Sequence, residues 1–226
     1  MGSRRGPWWG RVPGALLTLS LVVPVPGPAL AQGKGRGVPS GSAYTSLLER
    51  VARGDTLIDF QSLRMAYARS ATYDPSSHHL ATLRRQLREG LGNGDLSGVA
   101  ALADSMLALN PVDIESHVVA AYTARERGDS VTAQRHAAIA RGLGRSFDGA
   151  HRGASLEAPV LLVAASEEES FGRMNGLEYM DSTRLVDCPS GYCDVVVFRD
   201  PKTGTDTTLF FDLTLQVRWM LQHNKK

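Results

Sequence analysis

The chain has 226 residues, 42% of them apolar, and its 25 Lys and Arg against 23 Asp and Glu leave a formal net charge of +2. That length is enough for one or two domains, and so small a charge gives no electrostatic case for nucleic acid, which is recognised through clustered basic residues. Two cysteines are too few for a fold built on disulfides.

Arg4, Arg5 and Arg11 precede an apolar run from Ala15 to Val25, and Ala29-Leu30-Ala31 follows a Pro-Gly-Pro break. A positive end, a short apolar centre and small residues before Gln32 predict a signal peptide over 1–31. The run is shorter than the roughly 20 apolar residues that cross hydrocarbon. The protein is therefore expected to be exported, to the periplasm or the medium, with no transmembrane segment once the signal is removed. Removal takes three of the 25 basic residues and none of the 23 acidic ones, so 22 stand against 23. Residues 32–42, rich in Gly and Ser, read as a flexible leader.

From 43 to 145 the apolar residues recur three and four apart, which predicts a helical array. Leu47, Leu48 and Val51 mark a first helix ended by Gly54-Asp55. Phe60, Leu63, Ala66 and Tyr67 mark a second, opened by Asp59 and stopped at Asp74-Pro75. Leu80, Leu83, Leu87 and Leu91 form the stripe of a third. The dipeptide Gly94-Asp95 returns as Gly128-Asp129, thirty-four residues on, the period of tetratricopeptide helical hairpins. Ala121, Ala133 and Ala140 fall where that repeat wants small residues, and Asn110-Pro111 closes the first unit. Helices are predicted over 96–109, 113–127 and 130–143. About three repeats are needed for a free-standing solenoid, so this array must lean on another element.

That element is the segment 146–226. It opens with a hinge holding Asp148, His151, Glu157 and the run Glu167-Glu168-Glu169, expected to be a solvated strand end. LEYMDSTRLVDC, YCDVVVFRDP and TDTTLFFDLTLQ then read as strands. Residues 217–221 are either a continuation of the last strand or a short closing helix. Cys188 and Cys193 flank Pro-Ser-Gly-Tyr, turn chemistry that suits a hairpin disulfide in an exported protein. Two thiols without a second pair of ligands fall short of a zinc site. The predicted class is α+β: tetratricopeptide-like helical hairpins packed on a small C-terminal antiparallel sheet, both halves in one domain.

DFQSLRMAYARSATYDP, the hairpin with His117, Gly128-Asp129 and His136, SFDG at 146–149, the acid run with Gly176-Leu177, and LFFD at 209–212 together resemble a secreted bacterial family, domain of unknown function 4919. The resemblance covers most of the chain after the signal and implies no activity. Ser170-Phe171 stands where a tyrosine is expected after the acids, and CPSGYC looks like an addition.

Two functional readings compete. In the first, His117, His136, Asp148 and a carboxylate from Glu167 to Glu169 converge as a metal-assisted or acid-base hydrolytic site. Against it, no HExxH, GxSxG or Walker loop is present, and no cofactor or metal is expected. The second and preferred reading is a non-enzymatic module of the cell envelope that binds a protein or peptide. Its contact residues are expected to be Tyr122, Arg125 and Glu115. The hinge is then a structural joint, with Arg64 pairing Glu168 and Asp148 close by.

Overall fold

A computed structural model describes residues 40–147 and 153–223, without the side chains of 40–42, 181 and 182. The expected signal peptide, most of the leader, Asp148 and His151 lie outside the described residues. Six helices come first: α1 (Ser40–Ala52), α2 (Phe60–Ala68), α3 (His78–Asn93), α4 (Leu96–Leu109), α5 (Ile114–Glu126) and α6 (Ser130–Arg145). Strand β1 (Val160–Leu161) and helix α7 (Ser166–Met174) follow, then β2 (Glu178–Cys188), β3 (Gly191–Arg199), β4 (Asp206–Asp212) and helix α8 (Thr214–His223). The fold is α+β.

Caps written into the sequence set the helix starts. Asp59, Ser77, Asp95, Asp113 and Asp129 each accept the backbone N–H three residues on, at 2.9–3.3 Å. This satisfies one of the amides that a helix start leaves unpaired. The recurring Gly-Asp dipeptide joins two such devices. Gly94 and Gly128, at φ 74° and 79°, take the left-handed conformation that ends α3 and α5. The aspartate after each then opens α4 and α6. Both hairpins turn in the same way because the dipeptide is the same.

The sheet runs β1-β4-β3-β2. Its three long strands are antiparallel, with Val196 opposite both Thr183 and Leu209. The short β1 lies parallel to β4 through Val160–Phe211. The sheet is therefore mixed rather than wholly antiparallel, because β1 enters from the helical layer instead of through a hairpin. Residues 217–221 lie in α8 and do not prolong β4. Cys188 and Cys193 are bridged at the tip of the β2–β3 hairpin.

One core joins the layers. Asp194, Val196 and Phe198 project from one face of β3, and Phe211 of β4 projects beside them. Phe171 of α7 packs edge-on against both Phe147 and Phe211. Gly172 lets α7 close on Phe198, since an added Cβ would lie 2.2 Å from that ring. Tyr44, Tyr67, Tyr73 and Trp219 form a chain of ring contacts from α1 through α2 to α8. These two aromatic clusters are how an array too short to stand alone is supported.

Candidate functional site

The acid run is the first turn of α7, not a strand end, and Glu167 and Glu168 are buried. At about 100° per residue, three consecutive helical positions point three ways, and each glutamate meets a different neighbour.

Glu167 meets Arg64. The Arg64 Nε and Nη2 donate to its two carboxylate oxygens at 3.0 and 2.7 Å. Nη2 also donates to the Leu161 carbonyl at 3.0 Å, and Nη1 to the Ser146 hydroxyl at 3.3 Å. The guanidinium lies 4.2 Å from the centroid of the Phe147 ring, and Glu167 in turn accepts the Val163 N–H at 2.8 Å. Arg64 is 1% exposed and Glu167 4%. The joint expected between Arg64 and Glu168 is therefore made with Glu167, because a helical turn rather than a strand end presents the acids. Asp148 lies outside the described residues.

Glu169 meets arginines from two elements. Arg88 of α3 donates to it at 2.5 Å, and Arg173 pairs with it one helical turn along α7. Both arginines also reach Glu115 on α5, Arg88 at 3.0 and 3.1 Å and Arg173 at 3.2 Å. Arg84 of α3 completes the group, with Glu115 at 2.6 Å, Asp113 at 2.5 Å and the Ser166 hydroxyl at 3.3 Å. Burial alone would raise the Glu115 pKa, but hydrogen bonds and charge from Arg88 and Arg84 outweigh it and hold the carboxyl at about 2. Glu115 is thus the centre of a buried ion network joining α3, α5 and α7, not a surface contact. Arg84 and Arg88 were not singled out in the sequence, although they stand one turn apart beside the leucine stripe of α3. Nothing local announced that Arg173 would join them from eighty-five residues further on.

A cleft of about 100 Å³ opens beside this network, walled by Tyr67, Asp74, Ser77, Ala81, Arg84 and residues 163–166. It runs into an open groove along α3 lined by Ala81, Arg84, Arg85, Arg88 and Glu89.

The histidines meet each other. His117 Nδ1 and His136 Nδ1 are 2.9 Å apart, and His117 Nε2 lies 3.0 Å from the Pro111 carbonyl. A carbonyl only accepts, so His117 Nε2 carries the hydrogen, its Nδ1 is the acceptor, and His136 donates from Nδ1. Burial lowers the His117 pKa to about 4 and that of His136 as well. The carboxylates of α7 are engaged elsewhere, so the cluster of His117, His136 and Glu167 to Glu169 is dispersed over four separate contacts. No group of three or more His, Cys, Asp or Glu side chains among the described residues is placed to hold a metal ion. Tyr122 is half-buried and Arg125 exposed on α5, with the guanidinium 5.6 Å from the ring centroid.

A family model, domain of unknown function 4919 (DUF4919), matches residues 36–221, and the chain belongs to that family. No curated protein and no solved structure matches the chain. Among the described residues no helix is long and apolar enough to cross a membrane.

Proposed function

We propose that the protein is a non-enzymatic, exported module that binds an extended segment of a protein or peptide along α3. The observation that carries this reading is the continuity of the cleft with the groove through Ala81 and Arg84, which line both. A small-molecule site encloses most of its ligand in a volume of about 300–1,000 Å³. The cleft is smaller and the groove is open, a shape that suits a chain segment lying along a surface. The exposed Arg85 lines the groove beyond the cleft and is placed to meet a carboxylate. Tyr122 and Arg125 form a second surface on α5 where the same partner would continue. The Cys188–Cys193 bridge supports an oxidising compartment, and an unknown protein of the cell envelope is the partner this reading calls for.

A random-peptide display library selected on the immobilised protein tests the reading. Enriched peptides should lose binding to Ala81→Glu, which fills the junction of cleft and groove, and lose part of it to a Tyr122→Ala, Arg125→Ala double variant. Enriched peptides that bind Ala81→Glu as well as wild type, or a selection that enriches nothing, would overturn it.

A further inference from the structure

Glu168 differs from the acids on either side of it. Glu167 is bound to Arg64, and Glu169 to Arg88 and Arg173, whereas no arginine or lysine among the described residues pairs with Glu168. It is 4% exposed, and its Oε1 has no hydrogen-bond partner. The group it does meet is another acid, Asp194, to which it is hydrogen-bonded. Asp194 projects from β3 on the face that carries Val196 and Phe198, the face on which α7 lies.

Glu168 is buried and Asp194 partly so, and with no cation among the described residues beside them two carboxyl groups in contact are held together by a single proton. The hydrogen bonds fix which group carries it. Asp194 accepts the backbone N–H groups of Val195, at 3.1 Å, and of Arg184. Those bonds favour an anion at Asp194, so Glu168 is the donor. We propose that Glu168 and Asp194 form a proton latch between α7 and the sheet, closed while they share one proton and opened when that proton is lost.

Among the described residues the other charged groups near the pair are neutralised, turned away or in solvent: Asp187 of β2 shares the face of Asp194 but is exposed, as are Arg141 and Arg145 on α6. On α7, Glu167 and Glu169 are neutralised by their own arginines. On β2, Arg184 stands opposite Val195, so its side chain is on the other face of the sheet from Asp194. On α5, Glu115 is held by three arginines. Burial first, and the Asp194 charge second, push the Glu168 carboxyl up to about 8, which sets where the latch opens. Residues 163–166, which wall the cleft, lead directly into α7, so an open latch also loosens that wall. Only this last consequence rests on the docking reading. The latch itself is read without any ligand.

Amide hydrogen exchange on the full chain, corrected for intrinsic rates and compared at about pH 6 and about pH 9, tests the latch. In wild type, protection over 166–174 and 191–196 should fall about a hundredfold between the two, the linkage factor for the two units from pH 6 up to the folded-state pKa of about 8. Protection over 96–109 in α4 should not change. Glu168→Gln and Asp194→Asn should each keep α7 protected at both pH values, and either variant suffices if the other fails to fold. Unchanged wild-type protection, an equal loss in α4, or a loss that persists in the variants would overturn the latch. So would millimolar calcium restoring wild-type protection at the higher pH, since a cation rather than a proton would then bridge the two carboxyls.

Discussion

Arg64 and Glu167 are 103 positions apart and meet as a two-point ion pair from which water is excluded, fixing α2 to the first turn of α7. Neither charge has solvent to fall back on. Removing one partner leaves the other buried and uncompensated, at a cost of about 3–5 kcal/mol. Arg64→Ala and Glu167→Ala should each show that loss in urea denaturation. The double replacement Arg64→Met, Glu167→Leu should cost less than either single change, because it leaves no orphan charge. A single variant within about 1 kcal/mol of wild type would show that the pair does not hold the joint.

Stability should be greatest in a mildly acidic window. His117 titrates at about 6.5 when unfolded and at about 4 when folded. As pH falls between those values the unfolded chain takes the proton first, and stability is lost. Glu168 works in the opposite direction, from about 4.5 unfolded to about 8 folded. As pH rises across that span the unfolded chain loses its proton first, and stability falls. The two slopes oppose one another between about 4.5 and 6.5, and below about 4.5 the depressed pKa of Glu115 adds to the acid-side loss. Chemical denaturation across pH should therefore give a flat maximum in that interval. His117→Asn should turn the flat interval into a fall with rising pH, and Glu168→Gln should turn it into a rise and remove the alkaline loss. A profile still rising above pH 7 would contradict the Glu168 assignment, and an unchanged slope between about 4.5 and 6.5 in His117→Asn would contradict that of His117.

Two glycines should respond oppositely to the same substitution. Gly172→Ala places a methyl group 2.2 Å from the Phe198 ring, which is fully buried. Overpacking of this kind costs about 1–3 kcal/mol. Gly92→Ala in α3 meets nothing within 4 Å, and should stabilise by about 0.5–1 kcal/mol through the better helix propensity of alanine. Thermal melts of the two variants should move in opposite directions, and a shared direction would mean that α7 is not seated on Phe198.

The disulfide closes a short loop, with a sequence separation of 5 between its cysteines. Loop-closure entropy for so few residues corresponds to about 2 kcal/mol. A Cys188→Ala, Cys193→Ala variant should lose that much and still fold, since the hairpin is also held by the β2–β3 ladder and by Thr214, which donates to the Ser190 carbonyl at 3.1 Å. Failure to fold would show that the bridge is required for the sheet itself.

Most of the architecture was legible in the sequence because local signals and global packing agree. The leucine stripe of α3, the aspartate caps and the Gly-Asp dipeptides fixed the array, and Pro-Ser-Gly-Tyr between cysteines fixed the hairpin. The acid run misled because three identical charges have no period, and nothing in them separates a strand end from a helix start. The better signal was Glu169 followed four residues later by Arg173, a helical spacing with the charge order that suits it. Had that been weighed, Glu167 and Glu168 would have been assigned to different faces. The pairing of Glu168 with Asp194 could not have been read at all, because it joins two like groups and no sequence rule brings two acids together.

The length of chain between Arg64 and Glu167 also bears on how the molecule assembles. The α3–α4 and α5–α6 hairpins and the β2–β3–β4 meander are built from contacts close in sequence, and such pieces form quickly. Seating α7 closes a span of about a hundred residues, whose entropy must be lost before any contact repays it. Docking of the helix between two preformed halves is therefore the slow step expected on the way to the native state, and a substitution in the joint should slow folding more than one at the tip of a hairpin.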